Sequence, residues 1–150
     1  MTERREAVQY AELHCLSNFT FLRGASHPKE LIEQAADLGY TALALTDECS
    51  LSGVVRAHVA AKERGLKLII GSELRLACGL ALVALAIDRH GYGRLCRLIT
   101  QGRRAAVKGG YRLTRADLAI LEHCLILWLP GESPLASEAS RSTARRSTQS

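Results

Sequence analysis

Thr41-Ala42-Leu43-Ala44-Leu45-Thr46-Asp47-Glu48-Cys49-Ser50-Leu51-Ser52-Gly53 decides how the rest of the chain is read. Thr41 to Leu45 has the length and apolar character of a short buried strand. Two adjacent carboxylates follow, and a helix is predicted beyond them with Ser50 as its cap. In parallel α/β folds, ligands and catalytic groups sit at the carboxyl ends of strands, in the loops that lead to the next helix. Asp47 and Glu48 stand at that place.

Upstream, Tyr10-Ala11-Glu12-Leu13-His14 alternates in polarity and predicts a first strand ending at His14. A loop rich in turn formers runs to Ser26. A helix then starts near Pro28, whose missing N–H has no partner to lose in a first turn. Leu31, Ile32, Ala35 and Leu38 form one apolar stripe, and Gly39 falls where a left-handed residue ends a helix. Downstream, Leu51, Val54, Val55 and Val59 are the predicted apolar positions of a second helix that Gly65 ends. A third strand, Leu66 to Gly71, delivers Ser72 and Glu73 at its end. This β-α-β-α-β order with short connections predicts a parallel sheet. The pattern then changes: a hairpin about Cys78-Gly79, a helix from Gly91 with Tyr92, Leu95, Cys96 and Ile99 inward, a helical turn from Thr114 to Leu118, and a strand from Cys124 to Leu129.

Composition bounds the function classes. A chain of 150 residues with 47% hydrophobic content can bury one domain's core. No apolar run approaches the roughly 18 residues that span a bilayer. The opening Met1-Thr2-Glu3-Arg4-Arg5-Glu6 leads into no apolar signal region, so a cytoplasmic protein without membrane partners is expected. Five scattered cysteines, none in a Cys-x-x-Cys pair, predict buried or half-buried free thiols and neither a disulfide framework nor a zinc knuckle. From Gly131 to Ser150 only Leu135 is a large aliphatic, which predicts a disordered tail.

The formal net charge is +5, unevenly spread. Between Arg89 and Ala116 there are eight basic residues and no acidic one. Arg94, Arg97 and Arg104 share a predicted helical face opposite the apolar stripe. Such a face can contact phosphates and gain affinity by counterion release, or it can simply be solvated or dock on another domain.

Three strand ends deliver His14, Asp47 with Glu48, and Glu73 to one rim. Mixed imidazole and carboxylate donors suit Zn²⁺, Mn²⁺ or Fe, and a metal there could activate water against a phosphoester. The same pattern arises when Asp47 caps a helix, Glu48 is solvated and His14 is a hydrogen-bonded loop residue. Polar strand ends alone do not separate the two.

The residues also carry a resemblance. Ala11 to Pro28, Ala44 to Ala57, Leu68 to Glu73, Gly91 to Thr100 and Lys108 to Leu113, five blocks in order, resemble the PHP (polymerase and histidinol phosphatase) domain of error-prone C-family DNA polymerases. The resemblance covers residues 10–130, preceded by an extension at 1–9 and followed by a tail at 131–150 that is unlike the family. It implies an α/β fold, a PHP-type distorted β/α barrel left incomplete in this chain, with a metal rim to which His14, Asp47 and Glu73 would contribute. The second histidine of the family's His-x-His is Leu16 here, and its Asp-His pair is Asp47-Glu48, so a Zn or Mn site would lack donors. No catalytic residue is assigned.

The resemblance further implies a segment of a polymerase for damage-induced mutagenesis and translesion synthesis. DNA and other translesion-synthesis proteins would be partners of the whole enzyme, and the Mg²⁺-binding palm would lie outside this chain. A metal-dependent phosphoesterase and a non-catalytic module that binds polymerase partners or DNA are the alternatives. Unclosed, such a barrel would leave sheet edges and apolar faces bare.

Overall fold

The computed structural model describes residues 9–131. Predictions for residues 1–8 and for the tail beyond Gly131 lie outside the described residues. One curled sheet of five strands, ordered β1-β2-β3-β4-β5, carries the structure. The strands are β1 (Ala11–Cys15), β2 (Ala42–Leu45), β3 (Lys67–Arg75), β4 (Ala81–Ala86) and β5 (Cys124–Leu129). β1, β2 and the start of β3 pair in parallel through crossover helices α1 (Pro28–Asp37) and α2 (Val54–Arg64). From Gly71 onward β3 pairs with β4, and β4 with β5, antiparallel. The half-barrel expected of the fold class is therefore present: a mixed α/β sheet whose two edges, β1 and β5, do not meet.

Every residue of β2 is buried, as befits a strand with neighbours on both sides and helices over one face. α1 and α2 cover that face: Ile32, Ala35, Ala57, Ala60 and Ala61 pack on Leu43, Leu45 and Leu66. α1 starts with Pro28, the Glu30 carboxylate accepts from the His27 N–H at 2.8 Å, and Gly39 follows the helix at φ 75°.

α2 differs from expectation. It begins at Val54 with Gly53 as its cap, and the Ser50 Oγ accepts from the Ser52 N–H at 3.2 Å, ahead of the helix, instead of capping it. The Cys49 N–H still donates to the Glu73 carbonyl at 2.8 Å and Ser50 N–H to Ser72 Oγ at 3.3 Å, so the chain is held to β3 and cannot yet turn into a helix. Its inward face is alanine, with Val54. Val55 and Val59 are exposed, because the small alanines are what allow α2 to approach α1 and the sheet.

β3 runs on where the sequence ended it. Ser72 and Glu73 lie inside the strand, past the point where the β2 pairing stops at Leu45 and Ile70. Gly71 marks the change of partner. A Cβ there would come within 2.6 Å of Leu85 Cδ2 and 2.7 Å of the Ala84 carbonyl, so the close approach requires glycine.

α3 (Arg89–Arg104) starts two residues earlier than predicted, because the Asp88 carboxylate caps it by accepting from the Gly91 N–H at 2.8 Å. Leu95 and Leu98 pack against Leu74, Leu82 and Leu113 in a second core. A 3-10 turn spans Ala116–Ile120, started by Thr114, whose N–H and Oγ1 both donate to Asp117. The cysteines are all free. Cys49 is buried and Cys78 is exposed at the hairpin tip, against the expectation of uniformly covered thiols. Burial pushes the Cys15 thiol up to about 11. No helix among the described residues is long and apolar enough to cross a membrane.

Candidate functional site

The loop after β1 folds over the strand-end rim and is tied there by Asp47. This carboxylate is 1% exposed and accepts three bonds of 2.7 Å, from Ser17 N–H, Ser17 Oγ and Thr20 Oγ1. Thr20 Oγ1 in turn accepts from the Glu48 N–H at 3.0 Å, and Ser72 Oγ donates to the Asp47 carbonyl at 2.7 Å. Bonds to an ionised acceptor are the strong class, so Asp47 fixes the loop and the strand ends as one piece. It caps no helix.

Beside it lies a second, charged layer. The Glu73 side chain is wholly inaccessible to solvent. Its oxygens meet Arg23 Nη1 at 2.7 Å, Arg23 Nη2 at 3.1 Å, Arg75 Nε at 2.9 Å and His14 Nε2 at 2.8 Å. Arg23 Nη1 also reaches Glu48 at 2.8 Å, so one guanidinium bridges the two glutamates. Tyr111 OH donates to Glu48 at 2.7 Å and accepts from the Arg75 N–H at 3.0 Å.

Burial alone would push the Glu73 carboxyl up. The bonds from Arg23 and His14, with the charges of Arg23 and Arg75, outweigh it and hold the group below its ordinary value. Burial first, and then the bond to Glu48, raises the Tyr111 phenol. Glu73 holds the Arg23 guanidinium more firmly protonated still, against the opposing effect of desolvation.

Of the predicted metal-rim residues, His14 and Glu73 are brought together, while Asp47 is turned to the loop. Among the described residues no three His, Cys, Asp or Glu side chains are grouped so as to hold a metal. The residues present do not fit a Zn²⁺ or Mn²⁺ ion on this rim. Both Asp47 oxygens are engaged by donors, Leu16 offers no donor atom, and two guanidiniums already balance the charges of Glu48 and Glu73. A divalent cation would meet a neutralised set rather than a bare anionic one.

The basic residues lie elsewhere, on α3. Arg97 and Arg104 are exposed. Arg94 sits on the flank of the helix and pairs with Glu122 at 2.7 Å. Sequence reasoning missed Arg23, Arg75 and Tyr111. Arg75 had a signal, since it lies two residues from Glu73 on the same face of one strand. Arg23 and Tyr111 reach the rim from 50 and 63 positions away from their partners, with no local pattern to mark them.

A sheet rim at which β1, β2 and β3 deliver one histidine and three carboxylates, inside a half-barrel, defines a class of protein. Residues 12–128 match the PHP domain family, and the chain belongs to it. It is 66% identical over 131 residues to the error-prone DNA polymerase of Methylococcus capsulatus and 61% identical over 136 residues to that of Dechloromonas aromatica. These matches cover 86% and 87% of this chain, which spans only 12% and 13% of the length of those relatives. Among solved structures, it is similar to a protein of Bifidobacterium adolescentis assigned as a metal-dependent phosphoesterase. The TM-score is 0.55 at 26% identity, over 66% of this chain and 35% of the other. An amidohydrolase from Chromobacterium violaceum gives a TM-score of 0.54 at 31% identity, over 63% of this chain and 34% of the other.

Proposed function

We propose that the chain is the PHP segment of an error-prone DNA polymerase for damage-induced mutagenesis and translesion synthesis in the cytoplasm, and that the segment is structural within it. The high identity to error-prone polymerases supports the first half. The bridge made by Arg23 between Glu48 and Glu73 carries the second. A guanidinium in that position joins the ends of β2 and β3 to the β1 loop and supplies the positive charge that a hydrolytic rim would take from a metal. Nucleotidyl transfer belongs to the Mg²⁺-dependent palm of the whole enzyme, and DNA and the other translesion-synthesis proteins are partners of that whole.

The likeness to a protein assigned as a metal-dependent phosphoesterase supports a second reading, hydrolysis at His14, Asp47 and Glu73 with Zn or Mn. Turnover of a generic phosphomonoester with added Zn²⁺ or Mn²⁺ separates the two. No turnover above the blank is expected. Turnover that disappears in Asp47→Ala would overturn the structural reading. The polymerase half is tested by reading the downstream DNA in all three frames. Palm-like sequence in one of them is expected, and its absence from all three would contradict it.

A further inference from the structure

The exposed face of α3 is a charged surface that the rim does not use. At 3.6 residues per turn, Arg89, Gly93, Arg97, Thr100 and Arg104 fall within an arc of about 80°. They lie opposite the buried Gly91, Leu95, Leu98 and Gly102. Two shallow concavities adjoin along this face. One is lined by Arg89, His90, Gly93, Arg94 and Arg97, the other by Arg97, Thr100, Gln101 and Arg104 among others, so Arg97 is common to both.

The neighbouring acids are engaged elsewhere. Glu122 holds Arg94 at 2.7 Å, Asp117 accepts from Gln101 at 2.5 Å, and Asp88 caps the helix and meets His123 at 2.8 Å. Among the described residues, Arg89, Arg97 and Arg104 form no ion pair.

We propose that this face binds the phosphodiester backbone of DNA without sequence preference, with Arg89, Arg97 and Arg104 as the phosphate contacts. With a rise of 1.5 Å per residue the three stand in line over roughly 22 Å, successive ones about 10 to 12 Å apart. Each strand of a duplex advances about 3.4 Å along the helix axis per phosphate, so each interval corresponds to an axial advance of about three phosphates. Arginine, glycine and threonine leave the concavities open and hydrogen-bonding. No large aliphatic lies on the arc to form the apolar centre that a protein partner's interface would need. Arg94, tethered to Glu122, flanks the track. The proposal rests on charge geometry alone, so its failure would leave the polymerase reading untouched.

The test is anisotropy of a labelled duplex and a single strand of equal length, titrated with the 150-residue chain over a salt series. Three phosphate contacts predict a slope of log affinity against log salt of about −2.7 on duplex and about −2.1 on the single strand. Arg97→Gln is expected to flatten the duplex slope by about 0.9. The triple change of Arg89, Arg97 and Arg104 to Gln is expected to abolish binding. Lys62→Gln, which removes one charge from α2 as Arg97→Gln does from α3, is expected to change nothing. All these positions are exposed, and an unchanged melting curve checks that the variants fold. A flat slope in the unaltered chain, an equal loss with Lys62→Gln, or competition by polyglutamate as strong as by DNA would each overturn the proposal.

Discussion

The two halves of β3 separate two ways of using charge. From Lys67 to Ile70 the strand pairs in parallel with β2, and on that side Asp47 ties down the loop after β1 while His14, Arg23 and Glu48 turn inward to a set that Glu73, just past the junction, completes. From Gly71 to Arg75 it pairs antiparallel with β4, and the elements beyond turn their charges outward on α3 and their apolar groups outward on β5. The parallel half satisfies its polar groups internally, which makes it a rigid joint. The antiparallel half leaves Leu125, Ile126 and Trp128 uncovered, which makes it a surface.

The contrast breaks most visibly at Glu73. Glu73→Ala leaves Arg23, Arg75 and His14 around an empty anion position. Breaking a fully buried pair costs about 3–5 kcal/mol, but the cations left behind are a third to a half exposed, so solvent reduces the loss to about 2–3 kcal/mol, which a urea titration should show. Gly71→Ala strikes the junction between the halves by forcing a methyl group against Leu85 and the Ala84 carbonyl. A cost of about 1–3 kcal/mol is expected in the same titration.

The folded Glu73 carboxyl lies below its ordinary value of 4.5. Its contribution is therefore complete above that value and is lost as pH falls through the depressed folded one. The urea midpoint should fall with acid below about pH 4.5, and less steeply in Glu73→Gln. The smallest effect belongs to the open edge. Trp128→Ser should leave stability within about 0.5 kcal/mol while lowering light scattering at high concentration.

Local chemistry made much of this fold legible. β5 has the predicted bounds because Cys124 to Leu129 is one apolar run between a turn and a proline, and Gly39 and Gly65 end their helices as expected. What sequence could not place depended on distant partners. The start of α2 is delayed by bonds from Cys49 and Ser50 to β3, and the early start of α3 comes from the Asp88 side chain. At the rim, His14 and Glu73 were legible as partners, though Glu73 lies inside β3 and not at its end, but the loop residue that joins Glu73 to Glu48 was not. Arg23 has meaning only once the chain has folded over the sheet.

Arg23, in place of a metal, holds the rim together in this reading. This role is tested by dialysing the 150-residue chain against Zn²⁺ or Mn²⁺, counting retained metal, and melting the protein with and without chelator. Far less than one equivalent of retained metal and the same melting temperature in both conditions are expected, with a lower one in Arg23→Met. One or more equivalents of bound metal, with a melting temperature that drops on chelation, would contradict it.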